Sequence, residues 1–285
     1  MGLPNARSVI DKAHRLGRPN PKAIQPRHII VRFTSHQAAE KTLARRRMLS
    51  GSGIWVKRHL PENIERQTSL LEKVLPMAKA KDSYASILPG NQLRFKQNTY
   101  DIHSIHRSGL PVHKLHEREN ENTIGFQGPL SPLSNFHTCS LNIEGTSYCS
   151  IEQYYQAEKA KRHNDLVSLS RILLETDPVL IKRLGKGIQK TLNVREDEEN
   201  DNNIRVLEKG LSVKFREPRM KNHLLGTGSK VIAESSGYDL YYGTGKSLYD
   251  NDCLNISCFK GKNKMGKLLE KIRDSLKAGQ EMDTK

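Results

Sequence analysis

The stretch at residues 147–161, S-Y-C-S-I-E-Q-Y-Y-Q-A-E-K-A-K, contains the best-defined helix start in the chain. Ser150 is a favourable N-cap, and Gln153 follows three residues later, which completes a capping box. The predicted helix carries four polar residues at three- and four-residue spacing, so they share one face. They are Glu152, Tyr155, Gln156 and Lys159. This stretch predicts a helix with one strongly polar face.

The polar face has two interpretations. Glu152 and Lys159 are two turns apart, roughly 10 Å along the axis, which is too far for a simple salt bridge within the helix. The pair could therefore bracket a ligand bound above the helix. Solvated polar faces are nevertheless common on surface helices, and the helix alone leaves both interpretations open.

The basic charge of the chain is concentrated at one end. The chain has 285 residues, enough for two domains, and a net charge of +16. Residues 1–115 carry 21 Lys and Arg against 7 Asp and Glu, whereas residues 116–285 carry 26 against 24. A basic block beside a nearly neutral one indicates a nucleic-acid-binding module joined to a domain with another activity. A basic surface without a function is the alternative.

The four cysteines form no C-x-x-C pair and have no histidine at zinc-ligand spacing, so we expect no metal site. The irregularly spaced histidines between residues 103 and 116 do not change this expectation. No cofactor is predicted either. No apolar run reaches the roughly 18 residues of a membrane span, and no secretory signal follows Met1. We therefore expect a reduced protein in the cytoplasm or nucleus, with no membrane partner.

The first hundred residues predict a small α+β unit. Its predicted elements are, in order, a short basic helix (5–17), a strand (28–33), a helix capped by Ser35, a strand (54–57), a helix starting at Pro61 and a hairpin (84–88 and 92–96).

Several segments of this unit resemble one known family. They are A-H-R-L-G (13–17), P-R-H-I-I-V-R-F (26–33), the helix containing three consecutive arginines, and L-P (60–61). Over residues 8–103 the chain is similar to the RNA-binding open reading frame 1 protein of LINE-type retrotransposons. The resemblance implies an RRM-like part (1–60), a small C-terminal part (61–103) and binding of single-stranded nucleic acid. The implied contacts are Arg32, Arg45, Arg46, Arg47, Lys57 and Arg58.

Two departures bear on this resemblance. The opening strand of the family has no counterpart here, so the RRM-like sheet is expected to be incomplete. Thr68 and Ser69 stand where the family carries arginine. Weakened or lost nucleic-acid binding is the corresponding expectation.

The fold class expected for the whole chain is α+β in two domains. An incomplete RRM-like unit (1–103) is followed by a linker (104–122), a predominantly helical α+β domain (123–278) and a tail (279–285). The linker is predicted from its Gly, Pro, His and mixed charges. In the second domain we expect a Gly/Pro/Ser loop (125–136), a hairpin (140–147), helices starting at 177 and 204, a strand (231–234), a Gly-rich turn (239–245) and a final amphipathic helix.

The second domain resembles the NADAR family of YbiA-like N-glycosidases over residues 123–278. The motifs that carry the resemblance follow one another in order. They are S-P-L-S-N-F (131–136), S-I-E-Q-Y-Y-Q-A-E-K-A (150–160), the D-P helix (177–178), K-F (214–215), L-L-G-T-G (224–228), A-E (233–234), D-L-Y-Y-G (239–243), and G-K-N-K-M-G (261–266) with Arg273.

The resemblance implies hydrolysis of a bond between a ribose C1 and a base nitrogen. The substrate classes of the family are early ribosylamines of riboflavin synthesis and ADP-ribose attached to guanine. Such a cleavage develops positive charge at C1, and it needs a nucleophile and a proton for the departing nitrogen. Lys159, with a desolvated neutral amine, would attack C1 and hold the sugar as an imine. Glu152 would shuttle the proton, and Asp239 would stabilise positive charge or orient a ribose hydroxyl.

The remaining site residues implied by the resemblance would bind the substrate. They are Ser134, Asn135, Phe136, Tyr155, Tyr242, Gly243 and Asn263. Asp239 could instead cap a turn, and Asn263 and Arg273 could hold the fold. The family generally has tryptophan at the position of Tyr242 and another in the segment equivalent to 196–203, and both are missing here.

The missing tryptophans keep other functions open. One is a non-catalytic protein that binds a ribosylated ligand and nucleic acid. Another is a decaying transposon product without either function. Oligomeric state is not predicted by the sequence.

Overall fold

The computed structural model describes residues 9–15, 29–52, 54, 56, 62–88, 91–102, 104–189 and 196–283. The chain divides into two compact units between Arg66 and Gln67. The described residues form eight α-helices and four small sheets. The expected mixture of helices and strands is therefore present.

The first unit contains an antiparallel strand pair, β1 (Ile10–Arg15) and β2 (Ile29–Phe33). Asp11 and Arg32 form an ion pair between these strands. The prediction of a helix over residues 5–17 is wrong at β1, because pairing with a distant strand overrides a local helical pattern. Of the predicted strand over 54–57, residues 54 and 56 are described and neither is in a strand, while residues 55 and 57 lie outside the described residues.

A helix capped by Ser35 follows β2, as predicted. It is α1 (His36–Ala44), and the Ser35 hydroxyl accepts a hydrogen bond from the amide of Ala38 at 3.2 Å. A 3₁₀ helix, Arg45–Leu49, continues directly from it.

The predicted helix after Pro61 is α2 (Glu62–Lys79). Its buried face, Leu71, Val74 and Ala78, packs in one hydrophobic core with Leu93 and Phe95. The adjoining sheet consists of three antiparallel strands, β3 (Ser86–Leu88), β4 (Gln92–Phe95) and β5 (Asn98–Tyr100). The predicted hairpin corresponds to β3 and β4, whereas β5 was not predicted.

Residues 104–122 are not the expected linker. Ile105, Leu110 and Val112 are buried in the same core as α2. Strand β6 (Glu117–Glu119) pairs antiparallel with β7 (Thr123–Phe126). The segment has the composition of a loop. A few apolar side chains and one strand pairing are nevertheless enough to pack it against the rest of the fold. The boundary expected at residue 103 is absent for the same reason.

A three-stranded sheet and a hairpin provide the framework of the site. The sheet has the order β10-β7-β6, and β10 (Val231–Glu234) runs parallel to β7. The predicted hairpin is β8 (Leu141–Ile143) and β9 (Thr146–Tyr148). Its two turn residues, Glu144 and Gly145, have φ values of 52° and 78°, as a two-residue turn of type I′ requires.

Six helices surround this framework. They are α3 (Ile151–Arg162), α4 (Leu166–Leu174), α5 (Pro178–Lys186), α6 (Glu196–Lys214), α7 (Pro218–Gly226) and α8 (Lys264–Asp283). One core joins α3 to its neighbours through Ile151, Ile181 and Leu207, each almost completely buried. The expected tail from residue 279 is the last turn of α8. No helix in the described part of the chain has the length and apolar character needed to cross a bilayer.

Candidate active site

The predicted capping box fixes the start of α3. The Ser150 hydroxyl accepts a hydrogen bond from the amide of Gln153 at 3.1 Å, and the Gln153 side-chain oxygen accepts one from the amide of Cys149 at 2.7 Å. The Gln153 side-chain nitrogen also donates to the carbonyl of Ile172, in the last turn of α4, and to that of Glu175, directly after it. The first turn of α3 is therefore held in place by its neighbours.

Glu152, in that first turn, faces the protein interior and is only 5% exposed. Its Oε1 accepts a hydrogen bond from Gln156 Nε2 at 2.8 Å. Burial raises the pKa of the Glu152 carboxyl, and the Gln156 hydrogen bond and the charges of Lys182 and Lys159 oppose that shift. The solvated-face interpretation of α3 is wrong at this residue.

Lys159 lies on the same side of α3 and contacts α5. Its Nζ donates to the carbonyl of Gly185 at 3.4 Å. Its charge also acts on the Glu152 carboxyl, so the two groups that the sequence placed two turns apart share one environment. The amine and the carboxyl therefore interact electrostatically along one side of α3.

Lys182 of α5 is a second cation at this site, and the sequence gave no indication of its role. Its Nζ lies 5.5 Å from the centre of the Phe136 ring, in a cation–π contact. Its charge acts on both Glu152 and Glu234. Phe136, predicted to bind substrate, is thus brought to the site together with an unpredicted lysine.

Glu234 is the second unpredicted residue, although it belongs to the A-E motif. Its amide donates to Asn263 Oδ1 at 3.1 Å, and its carbonyl accepts from the amides of Ser236 and Thr244, both at 2.9 Å. Its carboxyl oxygen Oε2 is enclosed, and no donor among the described residues reaches it. Burial raises the pKa of Glu234 to about 7, with a further rise from the charge of Asp239.

Asp239 has a structural role as well as an electrostatic one. Its Oδ1 accepts hydrogen bonds from the amides of Tyr241 at 3.0 Å and Tyr242 at 2.8 Å, so it caps the turn, as the alternative interpretation held. Its charge also acts on Glu234, which places it beside the carboxyl cluster. Two acidic side chains, Asp239 and Glu152, therefore act on the carboxyl of Glu234.

Two tyrosines adjoin the cluster. The phenols of Tyr155 and Tyr242 lie close enough for each to shift the pKa of the other, and burial raises both pKa values. The backbone after Tyr242 is crowded, since a Cβ on Gly243 would lie 2.9 Å from the carbonyl oxygen of Asp239 and 3.0 Å from that of Glu234. Gly243 is needed for this close approach and contributes no side chain to a ligand.

Asn263 makes hydrogen bonds within the fold, in line with the alternative interpretation of this residue. It is 4% exposed, and its Nδ2 donates to the carbonyl of Ile232 at 2.8 Å while its Oδ1 accepts from Glu234. The side-chain amide of Asn263 therefore fixes the end of β10. Arg273 likewise donates from Nη1 to Thr227 Oγ1 and to the carbonyl of Lys230.

Hydrogen bonds from Lys214 and Glu152 hold the predicted substrate loop, residues 134–136, in place. The Ser134 hydroxyl accepts from the amide of Phe136 at 3.1 Å, and the Ser134 carbonyl accepts from Lys214 Nζ at 2.8 Å. Lys214 is 1% exposed, and burial lowers its pKa to about 8. The Asn135 carbonyl accepts from the amide of Glu152 at 3.1 Å, which ties the loop to α3.

The residues implied in nucleic-acid binding belong to the first unit. Arg32 lies on β2 in its ion pair with Asp11, and the three arginines at 45–47 form the start of the 3₁₀ helix after α1. Lys57 and Arg58 lie outside the described residues. In the described ranges, no group of three or more His, Cys, Asp or Glu side chains is arranged to hold a metal ion.

Comparison with known proteins gives matches to the second unit. Residues 123–277 match the family described as the NADAR domain. The N-glycosidase R617 of Acanthamoeba polyphaga mimivirus is 30% identical over 141 residues, which are 49% of this chain and 81% of that protein. The riboflavin biosynthesis protein VVA0006 of Vibrio vulnificus is 26% identical over 178 residues, 62% of this chain and 41% of that protein. The NMR structure of Escherichia coli YbiA covers 59% of this chain and 92% of its own, at 23% identity and a TM-score of 0.45.

Proposed function

The chain belongs to the NADAR family, and from this premise we propose that it is an N-glycosidase that hydrolyses the bond between a ribose C1 and a base nitrogen. The observation that carries the proposal is the shared environment of one amine, Lys159, and one buried carboxyl, Glu152. The mimivirus relative is named an N-glycosidase, which supports the same reaction class.

The chemistry follows from these groups. The neutral amine of Lys159 attacks C1, and the sugar is held as an imine until water releases it. Glu152 accepts a proton from the attacking amine. Asp239 orients a ribose hydroxyl and adds negative potential where the sugar becomes positive. Phe136, Tyr155 and Tyr242 supply aromatic faces for the base.

ADP-ribosylated guanine or a related ribosylated base is the substrate we propose within this class. Lys182 supports it because an ammonium beside an aromatic ring suits an anionic, ring-containing ligand. Ribosylamines of the riboflavin pathway are the competing substrates, and the name of the Vibrio relative favours them. Both substrates release a free base or amine, so one assay compares them.

The test is turnover by the full chain and two lysine variants. Lys159→Ala should lose at least about a thousandfold in kcat, because it removes the nucleophile. Lys161→Ala is the matched control, since Lys161 Nζ contacts Glu158 Oε1 at 2.8 Å on the exposed side of the same helix. Equal loss in both variants, or full turnover without Lys159, would contradict the mechanism.

A non-catalytic binder of ribosylated ligands is the second candidate. The tyrosine at position 242 and the absence of tryptophan from residues 196–203 favour it. This candidate requires saturable ligand binding by the wild-type chain with no product at any pH. Measured turnover would exclude it.

Single-stranded nucleic acid remains a proposed partner of the first unit. The support is the net charge of +10 over residues 1–66, which carry 14 Lys and Arg against 4 Asp and Glu, and charge-dominated binding weakens steeply with salt. A full chain with Arg45, Arg46 and Arg47 changed to Gln should bind single-stranded RNA more weakly and with a smaller salt dependence. Unchanged affinity and unchanged salt dependence would contradict the proposal.

A further inference from the structure

We propose that Glu234 is the acid that protonates the departing base nitrogen, and that Glu152 remains ionised to accept the proton of the attacking amine. This assignment rests on the proposed glycosidase function and divides between two carboxyls the proton transfers that the sequence had assigned to Glu152 alone.

The surroundings of Glu152 favour its ionised form. Gln156 Nε2 donates to Oε1 at 2.8 Å, and hydrogen bonds of this kind stabilise a carboxylate. Glu152 also lies in the first turn of α3, where the helix macrodipole favours negative charge. The two cations that act on it are Lys182 and Lys159. Burial acts against these contributions and raises the pKa of Glu152, so the ionised form of Glu152 depends on the Gln156 hydrogen bond and the two lysines.

The surroundings of Glu234 favour its protonated form. Its Oε2 is enclosed without a donor among the described residues, and two other acidic groups, Asp239 and Glu152, act on it. Lys182 is the opposing cation. Burial is the largest cause of the rise of the Glu234 pKa to about 7. When environments separate two neighbouring carboxyls in this way, the one without donors holds the proton.

The position of Glu234 is fixed by its backbone. Asn263 holds its amide, and the amides of Ser236 and Thr244 hold its carbonyl. Glu234 is the last residue of β10 and comes five residues before Asp239, whose charge acts on it. The backbone of Glu234 is therefore fixed at the end of β10, and the enclosure of Oε2 keeps its carboxyl in the interior, where a proton donor is held in place.

The proton and electron transfers balance as follows. The lone pair of Lys159 Nζ forms a bond to C1, the bond from C1 to the base nitrogen breaks, and its electron pair stays on that nitrogen. The nitrogen takes the proton of Glu234, while Glu152 takes one proton from the new ammonium. The sugar ring then opens to the imine, and water hydrolyses it to regenerate the amine. Proton exchange through solvent restores Glu234 as the acid and Glu152 as the carboxylate.

A leaving-group series tests the assignment in the full chain. One substrate carries a purine-type base that must be protonated to depart, and the other is a pyridinium riboside, whose base leaves as a neutral molecule without a proton. Glu234→Gln should reduce kcat for the purine-type substrate by about 100-fold to 10,000-fold. Its kcat for the pyridinium riboside should stay within a few-fold of the wild-type value. Retained turnover of the second substrate also shows that the variant is folded.

The pH profile provides an independent readout. Wild-type kcat/KM should fall as the pH rises through about 7, because the acid must be protonated, and Glu234→Gln should lack this fall. Glu234→Asp should retain the alkaline fall, with a lower maximum value of kcat/KM. Equal loss on both substrates, or an unchanged alkaline fall in Glu234→Gln, would overturn the assignment while leaving the glycosidase function intact. Absence of wild-type turnover on either substrate would overturn both.

Discussion

At the scale of single residues, Gly185 controls the hydrogen bond that Glu152 receives. A Cβ at this position would lie 1.9 Å from Gln156 Oε1, so any side chain must displace the Gln156 amide. That amide donates to Glu152. Glycine at position 185 therefore allows Gln156 to donate its hydrogen bond to Glu152. The sequence alone indicates only that a helix ends near this glycine.

Gly185→Ala should raise the pKa of Glu152, because it removes a donor that stabilises the ionised form. The acidic limb of the profile of kcat/KM against pH should move to higher pH. Gly226→Ala is the control, since a Cβ there meets no atom within 4 Å. An identical acidic limb in both variants would contradict this role of Gly185.

The site residues differ in how far the sequence could identify them. Glu152 and Lys159 are found by helical spacing, because both lie on one local element. Glu234 and Lys182 are not, because their partners come from other elements far away in the chain. Enclosed oxygens such as Oε2 of Glu234 have no sequence signature, and only the folded chain reveals them.

At the scale of elements, α3 is the helix that the sequence predicted best. Its capping box and its neighbouring hairpin depend on local residues, and the structure confirms both. The errors fall where pairing is non-local. Residues 10–15 join a strand across the chain, and residues 117–119 join the central sheet. Neither segment has a local pattern that indicates its distant partner.

Ser150→Ala should lower the free energy of unfolding by about 1 kcal/mol, because it leaves the amide of Gln153 without its acceptor. The variant should also lower kcat, since the first turn of α3 carries Glu152. Ser275→Ala is a suitable control, because the exposed Ser275 hydroxyl donates only to a carbonyl within α8. Urea denaturation with equal midpoints for both variants would show that the cap does not stabilise α3.

At the scale of the whole molecule, the raised pKa of Glu234 links stability to pH. A carboxyl whose pKa is higher in the folded than in the unfolded protein gives stability that is fully present below about 4.5 and is lost as the pH rises through about 7. At about 1.4 kcal/mol per pKa unit, the loss is roughly 3–4 kcal/mol. Lys214, whose pKa is lowered to about 8, is protonated throughout most of this range and changes little.

Urea denaturation at pH 5 and pH 7.5 should therefore show a fall in the unfolding free energy of the wild-type chain. Glu234→Gln should reduce that fall, because glutamine does not titrate, and the raised pKa of Glu152 accounts for what remains. A variant with the same fall as the wild-type chain would locate the pH dependence at another group.

The central claim is that Lys159 attacks ribose C1 inside the carboxyl cluster, and reductive trapping tests it most directly. The full chain is incubated with a ribosylated guanine substrate and borohydride, digested, and mapped by mass spectrometry. The account predicts a reduced sugar adduct on the peptide that contains Lys159, and no adduct on Lys161 or Lys182. Substrate turnover without an adduct, or an adduct on another lysine, would contradict it.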